Sequence, residues 1–130
     1  MNILINRERL AATFTTLCET DSPSRSEKNV AKQLKTIFAS FAPDFSHEDD
    51  TAEITGADCG NLFFRFNGSP RQEPIFFNCH MDTVGPGIGI KVHRENDIFT
   101  STGDTVLGSD DKSGIAALIE AMQVIREKNL

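Results

Sequence analysis

Apolar and polar positions alternate between two rhythms along this chain. Leu10, Phe14 and Leu17 recur at helical spacing, with Ala11 and Cys18 beside them, and Asn6 stands where a cap is needed. The spacing predicts a first helix over roughly 7–19. Asp21 to Ser26 is a polar break containing Pro23. Ser24 and Glu27 then read as a capping box, with Ser24 as N-cap. Val30, Leu34, Ile37, Phe38 and Phe41 form one apolar stripe, which predicts a second amphipathic helix ending before Pro43. The rhythm then shortens. Phe45 to Glu53 is polar and acidic and reads as an edge strand, and Leu62 to Phe66 is a short apolar run stopped by the turn signal Asn67-Gly68. Pro74 to Cys79 is nearly all apolar, which predicts a strand buried on both faces. Ile90–Val92 and Ile98–Thr100 flank Arg94–Asp97 as a surface hairpin. Ser113 to Arg126 closes the pattern as a third helix, with Ile115, Ala116, Leu118, Ile119, Met122 and Ile125 apolar.

Helices interleaved with strands around a doubly buried strand predict an α/β fold of three layers. A central strand needs neighbours on both sides, and few are supplied here. The pattern therefore fits the N-terminal part of a larger enzyme domain, and it also fits a small complete α+β domain.

Composition narrows the functional classes. The 130 residues carry a net charge of −6, without the cationic footprint of a nucleic-acid binder or of a membrane-surface helix. No apolar run approaches the roughly 18 residues of a membrane span. Met1 to Leu10 has no apolar core of a secretory signal, so none is expected. Cys18, Cys59 and Cys79 are odd in number and lack C-x-x-C spacing, which argues against a disulfide framework or a Cys-rich zinc site. A reducing cytoplasm is the expected compartment, and Asn67-Gly68-Ser69 reads as a turn rather than a glycosylation site.

Two clusters carry candidate chemistry. Asn78–Val84 follows the apolar run, and ligands of open α/β sheets sit outside the carboxyl ends of strands. His80 and Asp82 lie there two residues apart, facing the same way in extended chain. A carboxylate beside an imidazole fixes the tautomer and raises its basicity, as behind a metal-ligating histidine. A His and an Asp opening a solvated loop fit the same residues. In the second cluster, Gly103–Gly114, Asp110 and Asp111 meet the start of the third helix. They read as helix capping or as a carboxylate ligand held at a strand-to-helix turn.

Competing motifs fail. Gly103 and Gly108 have P-loop spacing, but Ser109 stands where lysine is required. Gly85–Gly89 lacks the third glycine of a dinucleotide fingerprint, and no H-E-x-x-H occurs. Cys79 and His80 point oppositely on a strand, so Cys79 reads as a core thiol. His47 and His93 read as surface histidines.

Taken together, Cys79-His-Met-Asp-Thr-Val-Gly-Pro-Gly87 and Gly103-Asp-Thr-Val-Leu-Gly-Ser-Asp-Asp-Lys-Ser-Gly-Ile-Ala116 resemble the co-catalytic zinc peptidases of the M20 family, and within it the peptidase T (tripeptidase) branch. Asp58-Cys-Gly-Asn61 resembles the family's G-N turn. The resemblance runs along essentially the whole chain. It implies the three-layer α/β/α catalytic domain, with residues 1–130 as the N-terminal portion of its mixed sheet. By it, His80 matches a zinc ligand and Asp110 the aspartate bridging two Zn2+ ions. Asp82, counted with the catalytic residues, matches the carboxylate that orients the histidine. It further implies a cis bond between Asp110 and Asp111, and aminopeptidase action on short peptides with a free N-terminus. In the family a Glu-Glu pair follows some thirty residues after the bridging aspartate, supplying a general base and a ligand. Further ligands and the lid or dimerisation domain come later still. Residues 1–130 hold two direct ligands of five and are not expected to form a competent site alone. The implied partners are a small peptide and, in the full-length enzyme, a second copy; nucleic acid and membrane are excluded. A non-catalytic truncated binding or assembly module, and an amidohydrolase or deacylase of the same superfamily, remain as alternatives.

Overall fold

The computed structural model describes residues 5–130. Residues 1–4, part of the segment read as carrying no secretory signal, lie outside them. Four helices and four strands follow in the order α1 (Arg7–Cys18), α2 (Lys28–Ser40), β1 (Phe45–Glu48), α3 (Thr51–Thr55), β2 (Leu62–Arg65), β3 (Val92–Glu95), β4 (Ile98–Ser101) and α4 (Ser109–Lys128). The α/β class holds, with the strands arranged as two antiparallel pairs. β1 pairs with β2, Phe45 opposite Arg65, and β3 pairs with β4, Val92 opposite Ser101. No described helix is long and apolar enough to cross a membrane.

α1 starts where its pattern predicts, with the Asn6 side chain accepting from the Arg9 N–H at 3.0 Å. α2 starts later than predicted. Glu27, not Ser24, is its N-cap residue, and the Lys28 N–H donates to the Asp58 carboxylate at 3.0 Å. Its cap is thus supplied from thirty residues downstream, beyond the reach of a local signal. The core lies between α1, α2 and α4: Leu17, Val30, Leu34, Phe41, Ile115, Ala116 and Ile119 are buried together. Phe38 stacks on Phe64 at 4.5 Å and joins α2 to the first strand pair. Phe14 meets Phe99 edge-on at 5.1 Å and joins α1 to the hairpin. Buried Glu120 on α4 accepts from Arg9 at 2.7 Å and from the Asn6 N–H at 2.8 Å, tying both ends of the segment together.

Two strand expectations are corrected. The edge strand stops at Glu48, because the Asp49 carboxylate accepts from the Thr51 and Asn61 backbone N–H groups and turns the chain into α3. Pro74–Cys79 forms no ladder among the described residues. Its apolar side chains face outward, Ile75 and Phe76 each 79% exposed and Phe77 65%. Only Cys79 and the following Met81 reach back against the core.

Candidate functional site

The site forms where three distant stretches meet. The first is the loop after the extended run, carrying His80 and Asp82. The second is the start of α4. Asp110 (φ −93°, ψ 106°) and Asp111 (φ −114°, ψ 31°) are not helical, so the regular helix begins at Lys112. The Asp110–Asp111 peptide bond is cis, as the family resemblance implies. Gly108 makes the approach possible: its φ is +73°, and a Cβ there would stand 3.1 Å from the Thr83 methyl. The third stretch is the Asp21–Ser26 break, which lies alongside residues 81–83 through a parallel bridge between Pro23 and Thr83.

The sequence-predicted residues converge. His80 Nδ1 lies 3.0 Å from Asp82 Oδ1 and 3.1 Å from the Asp82 carbonyl oxygen. His80 Nε2 lies 3.1 Å from Asp110 Oδ1. Two oxygens of Asp82 face Nδ1, which makes Nδ1 a donor; Nε2 donates to the Asp110 carboxylate when the ring is protonated, and in the neutral ring its lone pair is free for a cation on that side. Burial, the largest single influence, pulls the His80 imidazole down; the Asp110 hydrogen bond, together with Asp82, outweighs it and leaves the pKa above the ordinary value. The hydrogen bond from Ser24, with the adjoining imidazole, holds the Asp82 carboxyl below the usual range despite its partial burial. The Asp110 side chain is 95% exposed, so the open side of the His80–Asp110 pair faces solvent.

Beneath this pair lies a group that the motif reading passed over. Lys112 is fully buried, and its ammonium donates to Ser22 Oγ at 2.6 Å, Thr83 Oγ1 at 3.3 Å and the Leu17 carbonyl at 3.4 Å. Burial drives its pKa down. A signal was present: Lys112, Ile115, Ala116 and Ile119 share one helical stripe, and all four are buried. Ser22 and Thr83 are buried with it, each satisfied by this node.

The remaining candidates lie elsewhere. His47 is on β1 beside Phe63, and His93 is exposed on β3. Cys79 is half-buried, and burial with the Asp111 carboxylate pushes its thiol up to about 11, which disfavours the thiolate. Among the described residues, Glu27, Asp58 and Cys59 bring three ligand-type atoms within 4.8 Å. Glu27 and Asp58 already accept from the Arg25 and Lys28 N–H groups, and burial pushes the Cys59 thiol up, so the cluster acts as the cap of α2.

The donors at His80 suit a divalent, borderline-soft ion. An imidazole nitrogen and a carboxylate oxygen converge at 3.1 Å, and two donors to one tetrahedral zinc stand about 3.3 Å apart. Asp82 Oδ1, 3.0 Å from Nδ1, stands where a metal-bound histidine would carry its outer carboxylate.

No family model matches the chain. The uncharacterised protein YqjE of Bacillus subtilis is 41% identical over 127 residues, covering 98% of this chain and 34% of its own. A probable carboxypeptidase of Ajellomyces dermatitidis is 27% identical over 129 residues, covering 93% and 29%. Among solved structures, aminopeptidase PepT from Bacillus cereus superposes with a TM-score of 0.91 at 39% identity, covering 97% of this chain and 34% of its own. A tripeptidase from Staphylococcus aureus gives 0.91 at 35% identity with the same coverage. The chain spans about a third of the length of these relatives. Its α/β fold matches that part of the PepT peptidases.

Proposed function

We propose that this chain is the N-terminal part of the catalytic domain of a zinc-dependent aminopeptidase of the M20 type, tripeptidase-like in its action on short peptides. The observation that carries the reading is the His80 ring clamped between Asp82 and Asp110, on a fold shared with two peptidases. His80 Nε2 and Asp110 would hold the metal. Two Zn2+ ions, when bound, polarise a scissile carbonyl and lower the pKa of a shared water. The protein's own contribution is orientation. Asp82 keeps the proton on Nδ1 and the Nε2 lone pair turned outward, and the α4 start presents Asp110 to it. The general base and the remaining ligands belong to the part of the protein beyond residue 130. The outward-facing Ile75, Phe76 and Phe77 support that division, since such a run finds its cover in further structure. A small peptide is the proposed substrate and a cytoplasmic setting the proposed location, with a second copy as partner through a later domain. The carboxypeptidase relative favours a second reading, hydrolysis from the other peptide end, at lower identity.

The test is made in the full-length protein. His80→Ala removes most tripeptide hydrolysis and lowers the zinc content. Asp82→Asn retains the metal and lowers turnover by roughly 10–100-fold. Wild-type rates in both variants would overturn the metal site.

A further inference from the structure

Ser24 was expected to cap α2, and it does not. Its hydroxyl goes instead to Asp82 Oδ2, across 58 residues of chain. The segment that carries it is held from two sides. The Thr83 N–H donates to the Ser22 carbonyl at 2.8 Å, and Ser22 Oγ donates to the Met81 carbonyl at 3.0 Å. Lys112 grips Ser22 Oγ at 2.6 Å and so fixes the same segment to α4. Ser24 is thereby presented at a set position beside Asp82, while its own side chain stays at the surface.

A carboxylate rotates readily about its last bond, and each oxygen can take the place of the other. At Asp82 the two oxygens have different tasks: Oδ2 accepts from Ser24, and Oδ1 accepts from His80 Nδ1 at 3.0 Å. A hydroxyl donating to an ionised carboxylate is a strong, directional bond. We infer that Ser24 is a positioning residue for the candidate metal ligand, its hydroxyl locking the rotation of the Asp82 carboxylate and, through it, the tautomer and plane of the His80 ring. The inference rests on the zinc-peptidase reading, because that reading gives Nε2 its task. Among the described residues Ser24 Oγ makes no other hydrogen bond, so the hydroxyl can be removed without disturbing the core.

The experiment compares wild type, Ser24→Ala and Ser24→Thr in the full-length protein. Zinc affinity is read by competition with a chromophoric chelator. The His80 tautomer is read in the metal-free protein, at a pH above the raised pKa of the ring so that it is neutral, by long-range nitrogen–proton correlation on isotope-labelled histidine. Ser24→Ala lowers zinc affinity several-fold, up to about tenfold, and mixes the two neutral tautomers of His80, with the thermal midpoint unmoved. Ser24→Thr restores both readouts. Wild-type affinity and tautomer in Ser24→Ala would overturn the inference and leave the zinc reading standing. A loss that Ser24→Thr does not restore, with a lowered thermal midpoint, would assign Ser24 to the fold and also overturn it. If the wild type takes up no zinc, the zinc reading falls, and the tautomer alone decides: a shift in Ser24→Ala supports the locking role and no shift ends it.

Discussion

The chain on the two sides of His80 is built in opposite ways. After it, Thr83 is buried with Ser22 and Lys112, three polar groups that satisfy one another. Before it, Ile75, Phe76 and Phe77 stand in solvent. A lysine is inside and a phenylalanine outside, in reverse of the usual partition. What separates the two regions is where their partners lie. Every group that Lys112 needs comes from this segment, at Leu17, Ser22 and Thr83. The apolar run has no strand partner among the described residues, in a chain that covers 34% of its PepT neighbour. Burial follows available partners, and residue type alone does not decide it.

The most severe way to break this contrast is to empty the polar node. Lys112→Ala removes a fully buried side chain and leaves Ser22 Oγ and Thr83 Oγ1 short of a donor. A loss of about 3–4 kcal/mol is expected, measured by urea unfolding. Lys112→Met keeps the volume and should cost less, about 1–3 kcal/mol. Equal, negligible costs would mean that the node contributes nothing.

A smaller effect is expected at the Arg9–Glu120 pair. The Arg9 hydrogen bond holds the Glu120 carboxyl below its ordinary value of 4.5, against the opposing effect of burial. The hydroxyl of Thr51 and the amide of Asn61 similarly hold Asp49 down. A carboxyl whose pKa is lower folded than unfolded stabilises the fold above its unfolded pKa. That contribution is lost as pH falls through the folded value. The urea midpoint should therefore decline below about pH 4.5. Glu120→Gln should lower stability at neutral pH by about 2 kcal/mol and flatten the acid decline. A parallel acid limb in the variant would remove Glu120 from the account.

The smallest change in stability belongs to the exposed run. Ile75→Lys and Phe77→Lys should alter unfolding of the 130-residue chain by no more than about 0.5 kcal/mol. They should also suppress its self-association in sedimentation, because they interrupt an apolar patch on an unpaired extended segment. A stability loss comparable to that of Lys112→Ala would show that the run is packed after all.

Local rules recovered what local interactions determine. α1 and its Asn6 cap, the two-strand hairpin, and the amphipathic faces of α2 and α4 were all legible from spacing. His80, Asp82 and Asp110 were legible as residue types in two short motifs, and the structure brings them into contact. The misses share one cause. The cap of α2 comes from Asp58, the partner of Ser24 is Asp82, and the partners of Lys112 lie 29 to 95 residues away. A hydroxyl three residues before a glutamate looks like a capping box whether or not a distant carboxylate claims it. The run 74–79 was legible as apolar, but whether it is covered depends on structure that the segment does not contain.

The single parallel bridge between Pro23 and Thr83 also bears on the order in which the molecule assembles. It closes a loop of about sixty residues, and the His80–Asp110 contact closes another across 30. Loop closure costs entropy before any contact rewards it. α1 and α2 can form from neighbouring residues, whereas the His80 cluster exists only once the chain has returned to the Ser22–Ser24 segment twice over. The cluster is therefore expected to form late in folding. Whatever chemistry the cluster serves is absent from any state that has merely collapsed.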